Sequence, residues 1–224
     1  MMKPSRTLAM ALLLAACLPL SAAPAKEKEE KPAEPVKIIR VAVMPLMNRT
    51  QEALADQVVN EALREQLKEF DAAKAIFLLP NDVERVLATQ NAYPRAGRIA
   101  ERWSRDGKLD STAVAGLDSL LGVDAVLCVK VFDWEMKRIT VINAGQSYTT
   151  VGLEFALFDV REKQLLWKKA AREQRYADEY DITSGAVSYD ETGTIQSRRT
   201  NEPPRPKDVT VDLIKSAFRK FPRA

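Results

Sequence analysis

Ser119-Leu120-Leu121-Gly122-Val123-Asp124-Ala125-Val126-Leu127-Cys128-Val129-Lys130-Val131-Phe132-Asp133-Trp134, followed by Tyr148 to Val160 and by Gln164 to Lys168, is the stretch that decides the fold. Its first part reads as a helix end, a glycine stop and a valine-rich strand leaving it. In the second, Val151, Leu153, Phe155 and Leu157 recur at period two, with Thr150, Gly152, Glu154 and Ala156 between them, so one face is apolar. The charged turn Asp159-Val160-Arg161-Glu162-Lys163 then leads into a short Leu165-Leu166-Trp167 strand. Together these predict a three-stranded antiparallel meander hung on one helix, with nothing catalytic in it.

Upstream of the meander, Val36 to Met47 is apolar on both faces after Arg40, as a buried central strand is, and Pro45 marks the end of its ladder. Thr50 is a candidate N-cap for a helix over Gln51 to Phe70, whose stripe is Leu54, Val58, Ala62, Leu63, Leu67 and Phe70. A second strand, Ala75 to Leu79, passes through Pro80-Asn81-Asp82 into a helix with Val83, Val86 and Leu87 inside. This order predicts an α/β fold: a mixed sheet with a strand–helix–strand–helix start and the antiparallel meander, helices packed on the sheet.

Asn91 to Lys108 is less regular, with Arg95, Arg98, Arg102, Arg105 and Lys108 alternating with Ile99 and Trp103, and Gly97 and Gly107 breaking it. It reads either as a basic, partner-facing patch or as an exposed helix with solvated cations, and charge runs favour the second. Leu109 to Leu121 is a helix capped by Asp110 or Ser111. Ala170 to Pro206 is polar and poor in large apolar residues, a stretch that long being a mobile or a functional loop. Lys207 to Phe221 closes the chain as a helix with Val211, Ile214, Phe218 and Phe221 on its apolar side.

The chain's 224 residues, 46% of them hydrophobic, suffice for one well-cored domain plus tails or two small ones. The formal charge is +3, and without Lys3 and Arg6 the remainder is close to neutral, which gives no support for a nucleic-acid partner. Histidine is absent, which removes the commonest general base and metal ligand. A Ser-His-Asp triad therefore cannot be built, and neither a Gly-rich phosphate loop nor a Gly-x-Ser-x-Gly elbow is present. Asp124, beside the core strand, reads as a turn residue. No catalytic residue, metal site or cofactor is expected.

At the N-terminus, Lys3 and Arg6 precede the apolar run Leu8 to Ala16, too short to span a membrane and right for a signal-peptide core. Leu14-Ala15-Ala16-Cys17 resembles the bacterial lipobox, which implies that Cys17 becomes a diacylated mature N-terminus bearing palmitate-type chains. Ordinary cleavage at Ser21-Ala22-Ala23 or Ala23-Pro24-Ala25 also fits, giving a soluble periplasmic product. Leu18 after the cysteine favours, among bacterial lipoproteins, passage to the outer membrane. Lys26 to Pro35 is a charged linker able to reach roughly 30 Å. Cys17 and Cys128 lie in very different settings, which argues against a disulfide, and Cys128 reads as a small buried apolar residue.

Val41-Ala42-Val43-Met44-Pro45-Leu46-Met47-Asn48 resembles the "VAVLPF-N" start of TolB amino-terminal-like domains, CsgG and the penicillin-binding-protein activator LpoB. Leu121 to Leu127, Leu157-Phe158-Asp159-Val160 and Leu165-Leu166-Trp167 are similar to the "GADAVLY…LVD…G-LLW" pattern of neisserial-type outer-membrane lipoproteins with that fold. Glu162-Lys163 replaces the family's usual glycine before the last strand, and nothing after Ala170 has a matched counterpart. The resemblance implies a periplasmic α/β domain, lipid-anchored to the outer membrane, that binds other envelope components rather than catalysing a reaction. Its organisation is then a signal peptide (1–16), a lipid-anchored or free linker (17–35), the TolB-like domain (36–170), a polar loop region (171–206) and a C-terminal helix (207–224).

The function expected is a non-enzymatic envelope lipoprotein that binds a protein partner in cell-wall, secretion or transport assembly. Alternatives are a subunit of a CsgG-like oligomeric channel and an exported enzyme with an unrecognised carboxylate site. The channel needs hairpin strands of about nine to eleven residues, and Tyr148 to Val160 is needed as core. Self-association stays open. A partner surface is sought at Arg102 and Trp103 and in the loop bearing Tyr176, Tyr180, Arg198 and Arg199, residue types enriched at binding hot spots.

Overall fold

The computed structural model describes residues 39–72, 74–139, 145–177, 188–189, 195–196 and 202–222. The elements run β1 (Ile39–Val43), β2 (Met47–Asn48), α1 (Ala53–Lys68), β3 (Ala75–Leu78), α2 (Pro80–Thr89), α3 (Pro94–Asp106), α4 (Ser111–Val114) and α5 (Leu117–Leu121). They continue with β4 (Ala125–Lys137), β5 (Tyr148–Asp159), β6 (Leu165–Tyr176), β7 (Ser188–Tyr189), β8 (Ile195–Gln196) and α6 (Pro206–Phe218). One mixed sheet has the order β3-β1-β4-β5-β6, parallel through β3, β1 and β4 and antiparallel from β4 to β6. β2 adds to β4 in parallel beyond the break at Pro45, and β7 and β8 pair with each other.

Two cores lie on opposite faces of this sheet. Val41, Val43, Leu127, Val129, Val131, Leu153, Phe155 and Leu157 meet α1 and α6. Ala42, Met44, Val126, Cys128, Ala156 and Phe158 meet the layer built from α2 to α5. β5 therefore departs from the one-sided pattern read from its sequence: Thr150, Gly152 and Ala156 are buried as well. Of these, Ala156 lies under the second layer of helices. Burial pushes the Cys128 thiol far above its usual range, as an inert core residue requires.

Local signals set several boundaries. Pro45 ends the β1 ladder, since it has no N–H to give, although Met44 N–H still donates to Leu127 O at 2.8 Å. Gly122, at φ +63°, stops α5, and Asp124 then ties the start of β4 to β1: Arg40 N–H donates to its Oδ2 (3.0 Å), and its own N–H donates to Arg40 O (2.8 Å). At the β5–β6 turn Asp159 Oδ1 accepts from the N–H groups of Arg161 and Glu162, while Lys163 takes φ +59°. That is the conformation a glycine would adopt more easily.

Other expectations are corrected. Thr50 does not cap α1; Asn48 organises the turn, its Oδ1 accepting from Thr50 N–H at 2.8 Å and its Nδ2 donating to Glu52 O at 2.9 Å. The buried stripe of α1 is Ala55, Val59, Ala62, Leu63 and Leu67, and Leu54 stands 46% exposed, because contact with the sheet selects the phase. Gly97 lies within α3 without breaking it, and only Gly107, at φ +68°, ends it. The helix expected over Leu109 to Leu121 is two short ones, split at Ala115-Gly116, with Asp110 capping the first. β4 runs on through Asp133-Trp134-Glu135 to Lys137.

The largest departure is at the third strand. β6 continues to Tyr176, through residues whose polar composition suggests loop. Its side chains are exposed or half-buried, so no apolar run marks it, and pairing with β5 holds it in place. α6 in turn belongs to the core. Its buried side is Val209, Leu213, Ile214, Ala217 and Phe218, with Phe221 just beyond. Lys207 in its first turn reaches Glu61 and Glu65 of α1, each at 2.9 Å, and these carboxylates push the ammonium pKa up to about 12.

Candidate functional site

Two surface features stand out. The first is a cleft of about 690 Å³ at the carboxyl ends of β1 and β3. The helix after β1 packs on one face of the sheet and the helix after β3 on the other, so the strand ends part there, the usual place for ligands in open α/β sheets. Pro45, Asn60, Arg64, Lys68, Leu79 and Asp82 are among its lining. Its carboxylates are in part already engaged: Asp56 accepts from Asn48 Nδ2 at 3.3 Å, and Asp82 pairs with Arg85 at 2.8 Å. Among the described residues no group of three or more metal-ligating side chains comes together, in this cleft or elsewhere.

The second feature is the half of the meander that lies beyond the α2–α5 layer. β4 carries a bulge between Val131 and Asp133, which turns the consecutive side chains of Phe132 and Asp133 to the face where Gly152 lies. A Cβ on Gly152 would sit 2.7 Å from Asp133 Cβ and 2.8 Å from the Phe132 ring, so the bulge requires glycine opposite it. Asp133 is held by Arg172 of β6 at 2.5 Å. Further along, the rings of Tyr148 and Tyr176 lie 5.9 Å apart, Tyr148 OH donates to Glu135 at 2.7 Å, and Gln174 Nε2 donates to Tyr176 OH at 3.1 Å. The bond to Glu135, followed by burial, holds the Tyr148 hydroxyl above the usual tyrosine range. Between them Thr150 is fully buried, with its hydroxyl unpartnered among the described residues. Phe132 (39% exposed) and Tyr176 (52%) face solvent.

This face is bounded by Glu154, which pairs with Lys130 and Lys168 at 2.8 Å each. Burial raises the Glu154 pKa, but the two ammonium groups outweigh it and hold the carboxyl below its ordinary value of 4.5. A folded-state pKa below the unfolded one contributes stability that is present above pH 4.5 and lost as pH falls through the lower, folded value. Glu154→Gln is therefore expected to lose about 1–2 kcal/mol at neutral pH, a partly buried pair being worth less than a fully buried one. In urea unfolding the gap to the unsubstituted chain should close as the buffer is taken well below pH 4.5. A gap that persists in acid would show that the charge is not its source.

The residues singled out from the sequence are scattered. Trp103 is 1% exposed, packed in the core under α3, with Lys130 Nζ 5.1 Å from its ring centroid. It is unavailable to a partner as placed, because the apolar side of α3 turns inward. Arg102 is on the surface, paired with Asp106 at 2.9 Å. Two further cations of this segment are engaged: Arg95 donates to the carbonyls of Ala113 and Ala115 at the end of α4, and Arg105 pairs with Asp106 and Glu101. Tyr176 does sit on an exposed surface, at the end of β6 rather than in a loop. Cys17, Tyr180, Arg198 and Arg199 lie outside the described residues. Missed were Phe132, Asp133, Tyr148 and Arg172; the signal was Gly152, a lone glycine within an apolar strand.

No family model matches the chain, and no curated protein matches it by sequence. Among solved structures it is similar to lipoprotein GNA1162 from Neisseria meningitidis, at 18% identity over 65% of this chain and 89% of that one, with a TM-score of 0.39. It is similar to the PelC dodecamer from Paraburkholderia phytofirmans, at 14% identity over 81% and 86%, TM-score 0.44. A third is the LpoB C-terminal domain from Escherichia coli, at 14% identity over 64% and 87%, TM-score 0.40. At these scores and identities the likenesses carry nothing about activity or partners. Among the described residues no helix is long and apolar enough to cross a membrane.

Proposed function

We propose that this chain is an exported envelope protein, anchored by a lipid on Cys17, that acts without catalysis by binding a protein partner on the open half of its meander. The observation that carries the reading is the surface formed by Phe132, Tyr148 and Tyr176 around the Asp133–Arg172 pair. Aromatic rings beside a held arginine are the side-chain types that anchor protein interfaces. The positive, apolar and small-residue segments before Cys17 support export and anchoring.

The test is site-specific photo-crosslinking in a Gram-negative host, with the probe at Phe132 or Tyr176 and a control at Lys163 in the β5–β6 turn. A discrete adduct to one envelope protein from both patch positions, absent from the control, is the expected result. Adducts from neither position, or the same adducts from Lys163, would overturn the reading. Intact mass of the same protein beside Cys17→Ala reports the anchor separately.

A further inference from the structure

β6 ends the sheet, and among the described residues no strand pairs with its outer side. Ala177 N–H donates to Ser147 O at 2.8 Å, which points the backbone groups of the odd-numbered residues of β6 toward β5. The N–H and C=O groups of Lys168, Ala170, Arg172, Gln174 and Tyr176, past the register shift, consequently point outward. Proteins blunt such edges with proline, with bulges, with charged side chains, lysine above all, or by keeping them short. Leu165–Tyr176 is 12 residues long, contains neither proline nor glycine, and its one irregularity lies at the start, opposite Leu157 and Phe158.

We propose that this edge pairs antiparallel with β6 of a second copy of the chain, about a two-fold axis at Ala171, and so joins two sheets into one. The side chains choose both the partner and the register. Continuity of the two faces requires like parity in the paired residues, and the axis at Ala171 then sets Lys169 opposite Glu173, Trp167 opposite Arg175 and Lys168 opposite Gln174. An ion pair and a cation beside an indole result, and no like charges stand directly opposite one another. Moving the axis to Ala170 sets Lys168 against Arg172. Moving it to Arg172 sets that side chain against itself and Lys169 against Arg175. Four cations that would repel an arbitrary basic edge are thus accommodated by this strand's own reversed copy. The inference rests on the edge alone and stands or falls independently of the partner reading above.

The axis falls on a pair without mutual hydrogen bonds, where the two Cα atoms lie about 4.5 Å apart, within disulfide reach. The full-length chain purified in detergent, carrying Ala171→Cys, should form a disulfide-linked dimer on mild oxidation. Ala170→Cys should not, since its own copy stands diagonally, about 7–8 Å away. Sedimentation of the unsubstituted chain should show a dimer that Lys169→Glu dissociates and that Lys169→Glu with Glu173→Lys restores. An unsubstituted chain that sediments as a monomer overturns the proposal, as does a dimer indifferent to the charge swap. Equal crosslinking at Ala170 and Ala171 overturns the register. Circular dichroism of each variant separates lost pairing from lost folding. Loss of the dimer with the Phe132 crosslink intact would sink this inference and leave the proposed function standing.

Discussion

Trp103→Ala is expected to destabilise the chain by about 3–5 kcal/mol, a large share of the roughly 5–15 kcal/mol that holds a domain together. Trp103 is among the largest fully buried side chains, in one core with Met44, Leu87, Ile99 and Leu117. Truncation leaves a cavity that α3, fixed to α4 through the Arg95 guanidinium, cannot close. It also removes the ring beneath Lys130, which keeps its pairing with Glu154. Urea unfolding followed by circular dichroism measures the loss. A cost below about 1 kcal/mol, the range of surface changes, would mean that Trp103 is not where the structure places it.

Phe218→Ala should be of similar size, about 3–5 kcal/mol. Its ring lies 5.4 Å from Phe155, 5.8 Å from both Phe70 and Trp167, and stacks on Phe221 at 5.3 Å. These rings come from the turn after α1, from β5, from β6 and from the residues after α6, so one substitution loosens the layer on that face. If α6 were an appendage, the loss would be small and the main transition unchanged. A large loss with a single cooperative transition is the expected outcome, and it would make the last helix part of the folding unit.

The meander and its helix were legible because the signals there are local and mutually consistent. Gly122, the valine run and the period-two residues of β5 all specify one arrangement, and Asp159 with its charged neighbours supplies the turn. β6 was half-read for the opposite reason. Past Trp167 its residues are polar on both sides, and a strand held mainly by pairing to its neighbour leaves no hydrophobic period to find. The patch around Phe132 was missed because it depends on a bulge. One extra residue in β4 sets Phe132 and Asp133 on the same face, where simple alternation places them on opposite sides.

The sequence by itself determined the α/β class, the strand–helix–strand–helix order, the meander and the apolar residues from which both cores are drawn. These follow from periodicity, glycine stops and proline breaks, which act within a few residues. Only the tertiary structure decided which helices cover which face, that Trp103 turns inward, that α6 closes the first core, and that among the described residues β6 ends the sheet. Each depends on which surfaces meet across distant parts of the chain, and a local pattern carries no record of what it will be packed against.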